Sequence, residues 1–81
     1  MSDYGNAYLY PDRVEVEYRF AEAPLSIPFD QTKVGDDRDT LTNHAAELLA
    51  GQRWSVDNTS WHKPRTEGHS WLWTAFAWRH S

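Results

Sequence analysis

Trp71-Leu-Trp-Thr-Ala-Phe-Ala-Trp78 is the stretch that decides how this chain folds. It is too aromatic for a loop and too short to cross a membrane as a helix, which takes about 20 residues. As a strand it puts Trp71, Trp73, Ala75 and Ala77 on one face and Leu72, Thr74, Phe76 and Trp78 on the other. Neither face suits water. One can go to the chain's own core, and the other is the candidate contact surface.

Residues 52–61 supply the neighbouring strand. Trp54 and Val56 alternate there with Ser55 and Asp57, and Thr59 favours extension. Residues 62–69, with Pro64 and Gly68, form the loop between the two strands, which pair antiparallel. With Trp61 opposite Trp71, Val56 falls opposite Phe76 and Trp54 opposite Trp78. This register predicts a core face of Trp54, Val56, Leu72, Thr74, Phe76 and Trp78. The other face carries Trp61, Trp71 and Trp73 among small and polar residues. A slip of one residue would exchange the two faces.

Upstream, a helix is read from about Asp37 or Thr40 to Ala50. Asp36, Asp37, Asp39 and Thr40 favour its positive end, and Leu41, Ala45, Leu48 and Leu49 form one apolar stripe. Gly51 is placed to end it in the left-handed conformation. Residues 13–20 alternate Val14, Val16, Tyr18 and Phe20 with Arg13, Glu15, Glu17 and Arg19, as in a half-buried strand. Pro24 and Pro28 confine Leu25, Ile27 and Phe29 to a sheet edge. Residues 7–10 can be extended, and residues 1–6 read as a flexible end. The expected fold is a single α+β domain over residues 1–81. It has a small antiparallel sheet of three to four strands and one helix packed on one face.

The formal net charge of −4 is unevenly spread. Residues 1–50 carry ten acidic groups against four basic, whereas residues 51–81 carry two against four. No cysteine is present, which removes disulfides and thiolate metal sites and fits a reducing compartment. The first residues lack the basic and apolar runs of a signal peptide, so the expectation is a soluble cytoplasmic protein without a membrane span.

Catalytic chemistry finds little support. Ser60, Ser70, Asp57 and His62 include the residue types of a hydrolytic triad, but no nucleophile elbow holds them. His62 and His69 flank a loop, yet zinc asks for four ligands of defined geometry. His44 reads as a surface or boundary residue of the helix. The four glycines are scattered, leaving no phosphate-binding loop. The expectation is no catalytic residue, no metal and no cofactor.

Two candidate partner-binding surfaces remain. The first is Trp61, Trp71 and Trp73 with Lys63 and Arg65 in the adjoining loop, since Trp and Arg are enriched where binding energy concentrates. The competing structural explanation is cross-strand aromatic pairing, covered by Tyr8, Leu9 and Tyr10. The second is acidic, Glu15 and Glu17 with Asp36, Asp37 and Asp39, which suits a basic groove. Aromatics beside Lys63 and Arg65 also resemble a stacking platform for single-stranded nucleic acid, but the acidic balance ranks that behind protein.

Leu48-Leu-Ala-Gly51, then Trp54-Ser-Val56 and the closing Phe76-Ala-Trp-Arg79, resemble a group of small β-α-β-β domains of unknown function. In those a helix ends in Gly and a Trp-x-Val strand follows; here Gln52-Arg53 intervenes. In size, acidity, lack of cysteine and element order the chain also resembles small phage-encoded inhibitors, including anti-CRISPR proteins. That resemblance implies a non-enzymatic protein-binding module that blocks a host protein or nucleoprotein complex. The alternative is a small bacterial domain that homodimerises, or binds single-stranded nucleic acid, through its Trp-rich hairpin.

Overall fold

The start of the chain forms the centre of the sheet. In the computed structural model, which describes residues 2–80, β1 (Ser2–Leu9) lies between β2 (Arg13–Tyr18) and β5 (Trp73–His80). β3 (Leu25–Pro28) and β4 (Ser55–Val56) add the outer strands. All pairings are antiparallel, in the order β3-β2-β1-β5-β4. The helix α1 (Arg38–Gly51) contributes to the core on one face. The fold is α+β, with more strands than the three to four expected because residues 2–6, read as a loose end, belong to β1. Met1 lies outside the described residues.

The alternation expected over residues 13–20 holds only within β2: the strand ends at Tyr18, and Phe20, expected on the buried face, lies beyond it and is 91% exposed. Val14 and Val16 are fully buried, while Glu15 and Glu17 take the other face. β3 occupies an edge, where Pro28 leaves no central ladder position without a donor. Gly5 permits the close pairing of β1 with β2. A Cβ there would lie 2.6 Å from the Glu17 carbonyl oxygen and 2.9 Å from Tyr18 Cβ.

Asp37 caps α1, its carboxylate accepting from the Thr40 N–H at 3.1 Å and the Thr40 hydroxyl at 2.8 Å. Leu41, Ala45 and Leu49 bury the stripe. Gly51 is the last residue of the helix but is not the left-handed stop expected of it. Trp54 N–H bonds to Leu49 O at 2.8 Å and Arg53 N–H to Ala50 O at 3.0 Å, with Arg53 left-handed at φ 67°. This is a Schellman closure, and it packs Trp54 beside Leu49 in the core. The intervening Gln52-Arg53 is therefore part of the helix stop.

The last strand is turned over relative to the expected register. Ser55 lies opposite Trp78 and Val56 opposite Ala77, one residue away from the expected pairing. Ala75 and Ala77 accordingly face the core, where Trp54 is 1% and Trp61 3% exposed. Phe76, assigned to the core from the sequence, is half exposed. Ala7 lies opposite Ala75, and these small residues of the central strands leave depth for Trp54, Leu41 and Leu49 in the same buried cluster. His44 is also in the core, 5% exposed. Its Nε2 accepts from the Asp30 N–H at 3.1 Å and its ring lies 5.5 Å from Phe29.

Candidate functional site

With the helix on one side, the other face of the sheet is open. Its residues are the even positions of β1, Thr74, Phe76 and Trp78 of β5, and the charged positions of β2. Tyr4 pairs with Trp78 across β1 and β5, and Phe76, opposite Asn6, is the next residue of β5 on the same face. The Tyr4 and Phe76 rings stack at 5.6 Å, and those of Phe76 and Trp78 at 6.0 Å. Tyr4 is 56% and Phe76 51% exposed, so these two rings are wet, while Trp78 is partly buried. Isolated exposed aromatics need no explanation, but a contiguous row of them on a sheet face is a candidate contact surface.

Phe20 stands at the end of β2, in the turn leading to β3. It is 91% exposed and holds φ 68°, a region that bulky side chains rarely occupy. The Arg19 guanidinium lies 4.9 Å from its ring centroid. Ser2, Asp3, Tyr4, Arg19 and Phe20 border a depression of about 440 Å³ at this end of the sheet.

At the opposite end, Tyr8, Tyr10, Glu15, Glu17, Pro24 and Trp71 enclose a notch of about 130 Å³. Tyr8 pairs with Glu15 across the strands. Leu72 N–H bonds to Leu9 O at 2.6 Å, which brings Trp71 alongside β1. The Tyr8 and Trp71 rings meet edge to face at 5.1 Å, and His69 stacks on Trp71 at 3.8 Å. Burial, followed by the Glu17 charge and Tyr10, pushes the Tyr8 hydroxyl pKa upward. Arg13 Nε donates to Glu15 at 2.6 Å and its Nη1 to Asp12 at 2.9 Å, with the guanidinium 3.8 Å from the Tyr10 ring centroid. The Glu15 hydrogen bond is the leading cause of a raised Arg13 pKa.

The three tryptophans taken together from the sequence are separated. Trp61 is buried, its indole N–H reaching Asn58 Oδ1 at 3.4 Å and its carbonyl accepting from Arg38. Trp73 packs against the core. Trp71 is on the open side of β1, packed on Tyr8. Lys63 and Arg65 are exposed in the loop before β5. Glu15 and Glu17 share the open face with the aromatic row, whereas Asp36, Asp37 and Asp39 are at the helix start, where Asp37 is engaged in capping.

Tyr4, Tyr8, Phe20, Phe76 and Trp78 were not singled out by sequence reasoning as surface residues. One signal was available: Tyr4 and Tyr8 alternate with Gly5 and Ala7, bulky on one face and small on the other. Of the histidines, His62 Nδ1 lies 3.1 Å from the Ser60 carbonyl oxygen and His69 is stacked on Trp71. Among the described residues no cluster of three or more His, Cys, Asp or Glu is arranged to hold a metal, and no helix is long and apolar enough to cross a membrane. Comparison with family models, curated proteins and solved structures returns no match.

Proposed function

We propose that this chain is a non-enzymatic protein-binding module that docks through the open face of its sheet. The observation that carries this reading is the stacked row of exposed Tyr4 and Phe76 with partly buried Trp78. Aromatic side chains supply large contact area at low cost in conformational entropy, which favours them as anchors. Phe20, held out at one end of the same sheet, adds a protruding ring. Strand addition is a poorer fit, since β3 contains Pro28 and β4 has two residues.

Glu15 and Glu17 beside the row, with a net charge of −4, favour a partner with a basic surface. The resemblance to small phage-encoded inhibitors extends the reading to a phage or mobile-element protein that blocks a host protein or nucleoprotein complex. The candidate surface accordingly moves away from Trp61 and Trp73 and retains Trp71, Glu15 and Glu17.

The test is a Tyr4→Ser, Phe76→Ser double variant. Both side chains are half exposed, so the variant should keep its circular dichroism spectrum and cooperative urea transition. Binding to a partner isolated with the wild-type chain should weaken by about tenfold or more, as expected for anchor residues. A folded variant with unchanged affinity would sink the proposal. Sedimentation of both proteins covers the case in which the partner is a second copy.

A further inference from the structure

Resting on that reading, the notch at the far end of the aromatic row says something about the partner's chemistry. Tyr8, Tyr10 and Trp71 contribute three aromatic residues around one small space, with Glu15 and Glu17 at its border. The Tyr8 and Trp71 rings meet at 65°, so they make a corner instead of a closed stack. Aromatic faces attract cations through their quadrupole, and nearby carboxylates add to that attraction. One end of this region already holds such an arrangement. There the chain's own Arg13 lies over Tyr10 and is bonded to Glu15 and Asp12. The other end, Tyr8 with Trp71 and Glu17, holds no lysine or arginine of the chain: among the described residues none pairs with Glu17 or lies over either ring, where the group stacked on Trp71 is the His69 imidazole.

We propose that this notch receives one cationic side chain of the protein partner, the ammonium of a lysine or the guanidinium of an arginine, held by Tyr8, Trp71 and Glu17. The volume of about 130 Å³ suits such a group, since a cavity of roughly 150 Å³ holds one benzene molecule. His69, stacked on Trp71 at 3.8 Å, supports the indole from outside the notch lining. The cation would lie beside the aromatic row, so one basic residue and an apolar patch on the partner engage the same sheet face.

The test is an NMR titration of the full chain with n-butylammonium and n-butylguanidinium chloride, against n-butanol, tetramethylammonium chloride and sodium chloride. Either side-chain cation should give saturable shifts of the Trp71 indole N–H and Tyr8 ring protons, in the millimolar range for so small a probe. Glu17→Gln and Tyr8→Leu should each weaken this binding by about fivefold or more. Non-saturating shifts, equal shifts with butanol or sodium chloride, or unchanged affinity in folded Glu17→Gln would overturn the proposal. Markedly tighter binding of tetramethylammonium would also overturn it, by pointing to a free quaternary ammonium ligand. The two readings fail separately. If Tyr4→Ser, Phe76→Ser loses the partner but Glu17→Gln and Tyr8→Leu do not, the docking face stands and the cation site falls. If the cation binds but the double variant keeps its partner with full affinity, the docking face falls.

Discussion

Among the described residues two other than glycine hold left-handed backbone, and the difference between them is informative. Arg53, at φ 67°, serves the helix stop, where the Leu49 and Ala50 carbonyls are satisfied by the turn that follows. Phe20, at φ 68°, ends β2 with its ring in solvent. A left-handed residue with a Cβ costs roughly 1–2 kcal/mol, and glycine there avoids most of it while giving back some chain entropy. Arg53→Gly should therefore stabilise the fold by about 0.5–1 kcal/mol, read as a higher urea midpoint at unchanged slope. An unchanged or lower midpoint would mean that the Arg53 side chain contributes more at the helix C-terminus than the backbone strain costs. The sequence places a helix stop in this region, but composition points to Gly51. The residue that turns the chain is selected by which carbonyls must be capped and by where Trp54 enters the core.

At the scale of elements, legibility followed how much each strand's fate is carried by its own residues. β2 is readable because Val14 and Val16 alternate with Glu15 and Glu17, and the helix because its cap and apolar stripe are local. The faces of β5 depend on what lies above them. Phe76 and Trp78 are larger than Ala75 and Ala77, so hydrophobicity assigns the bulky pair to the core. Depth decides otherwise, because Trp54 and the helix leucines already fill the space over Ala7, Ala75 and Ala77. The turn of residues 57–60 then shifts the pairing, and His62 meets Thr74 out of step with Val56 and Ala77. The candidate site was hidden by the same inversion. Residues 7–10 read as extended, but the first part of β1 reads as a loose end because Asp3, Gly5 and Asn6 are poor strand formers, although Gly5 is required for its pairing. Gly5→Ala would set a Cβ against the Glu17 carbonyl, a backbone atom that cannot swing away. Destabilisation of about 1–3 kcal/mol is expected from this overpacking, measured by urea unfolding. A neutral result would show that β1 and β2 separate more easily than their pairing suggests.

Across the whole molecule, three carboxylates hold the connections in place, and together they set the response to acid. Asp30 follows β3, Asp37 caps α1 and Asp57 follows β4. Each accepts a backbone N–H and a hydroxyl from a threonine two or three residues on. The pKa values of all three are held below their ordinary 3.8. For Asp30 and Asp37 the threonine hydroxyl is the first cause, and for Asp57 the Thr59 N–H. The unfolded chain therefore takes up these protons at higher pH than the folded chain does. Their stabilisation is complete above the ordinary carboxylate range and is lost as pH falls through the depressed values. Bulk charge acts in the opposite direction, since protonating a chain of net charge −4 first relieves self-repulsion. That long-range effect is screened beyond about 8 Å at physiological salt, whereas the hydrogen bonds are at contact, so the local effect should win. The urea midpoint should fall steadily from about pH 5 to pH 2. In a D30N, D37N, D57N variant, which keeps the acceptor oxygens without the titration, the fall should be shallower. An acid limb of the same steepness in the triple variant would assign the acid response to other carboxylates.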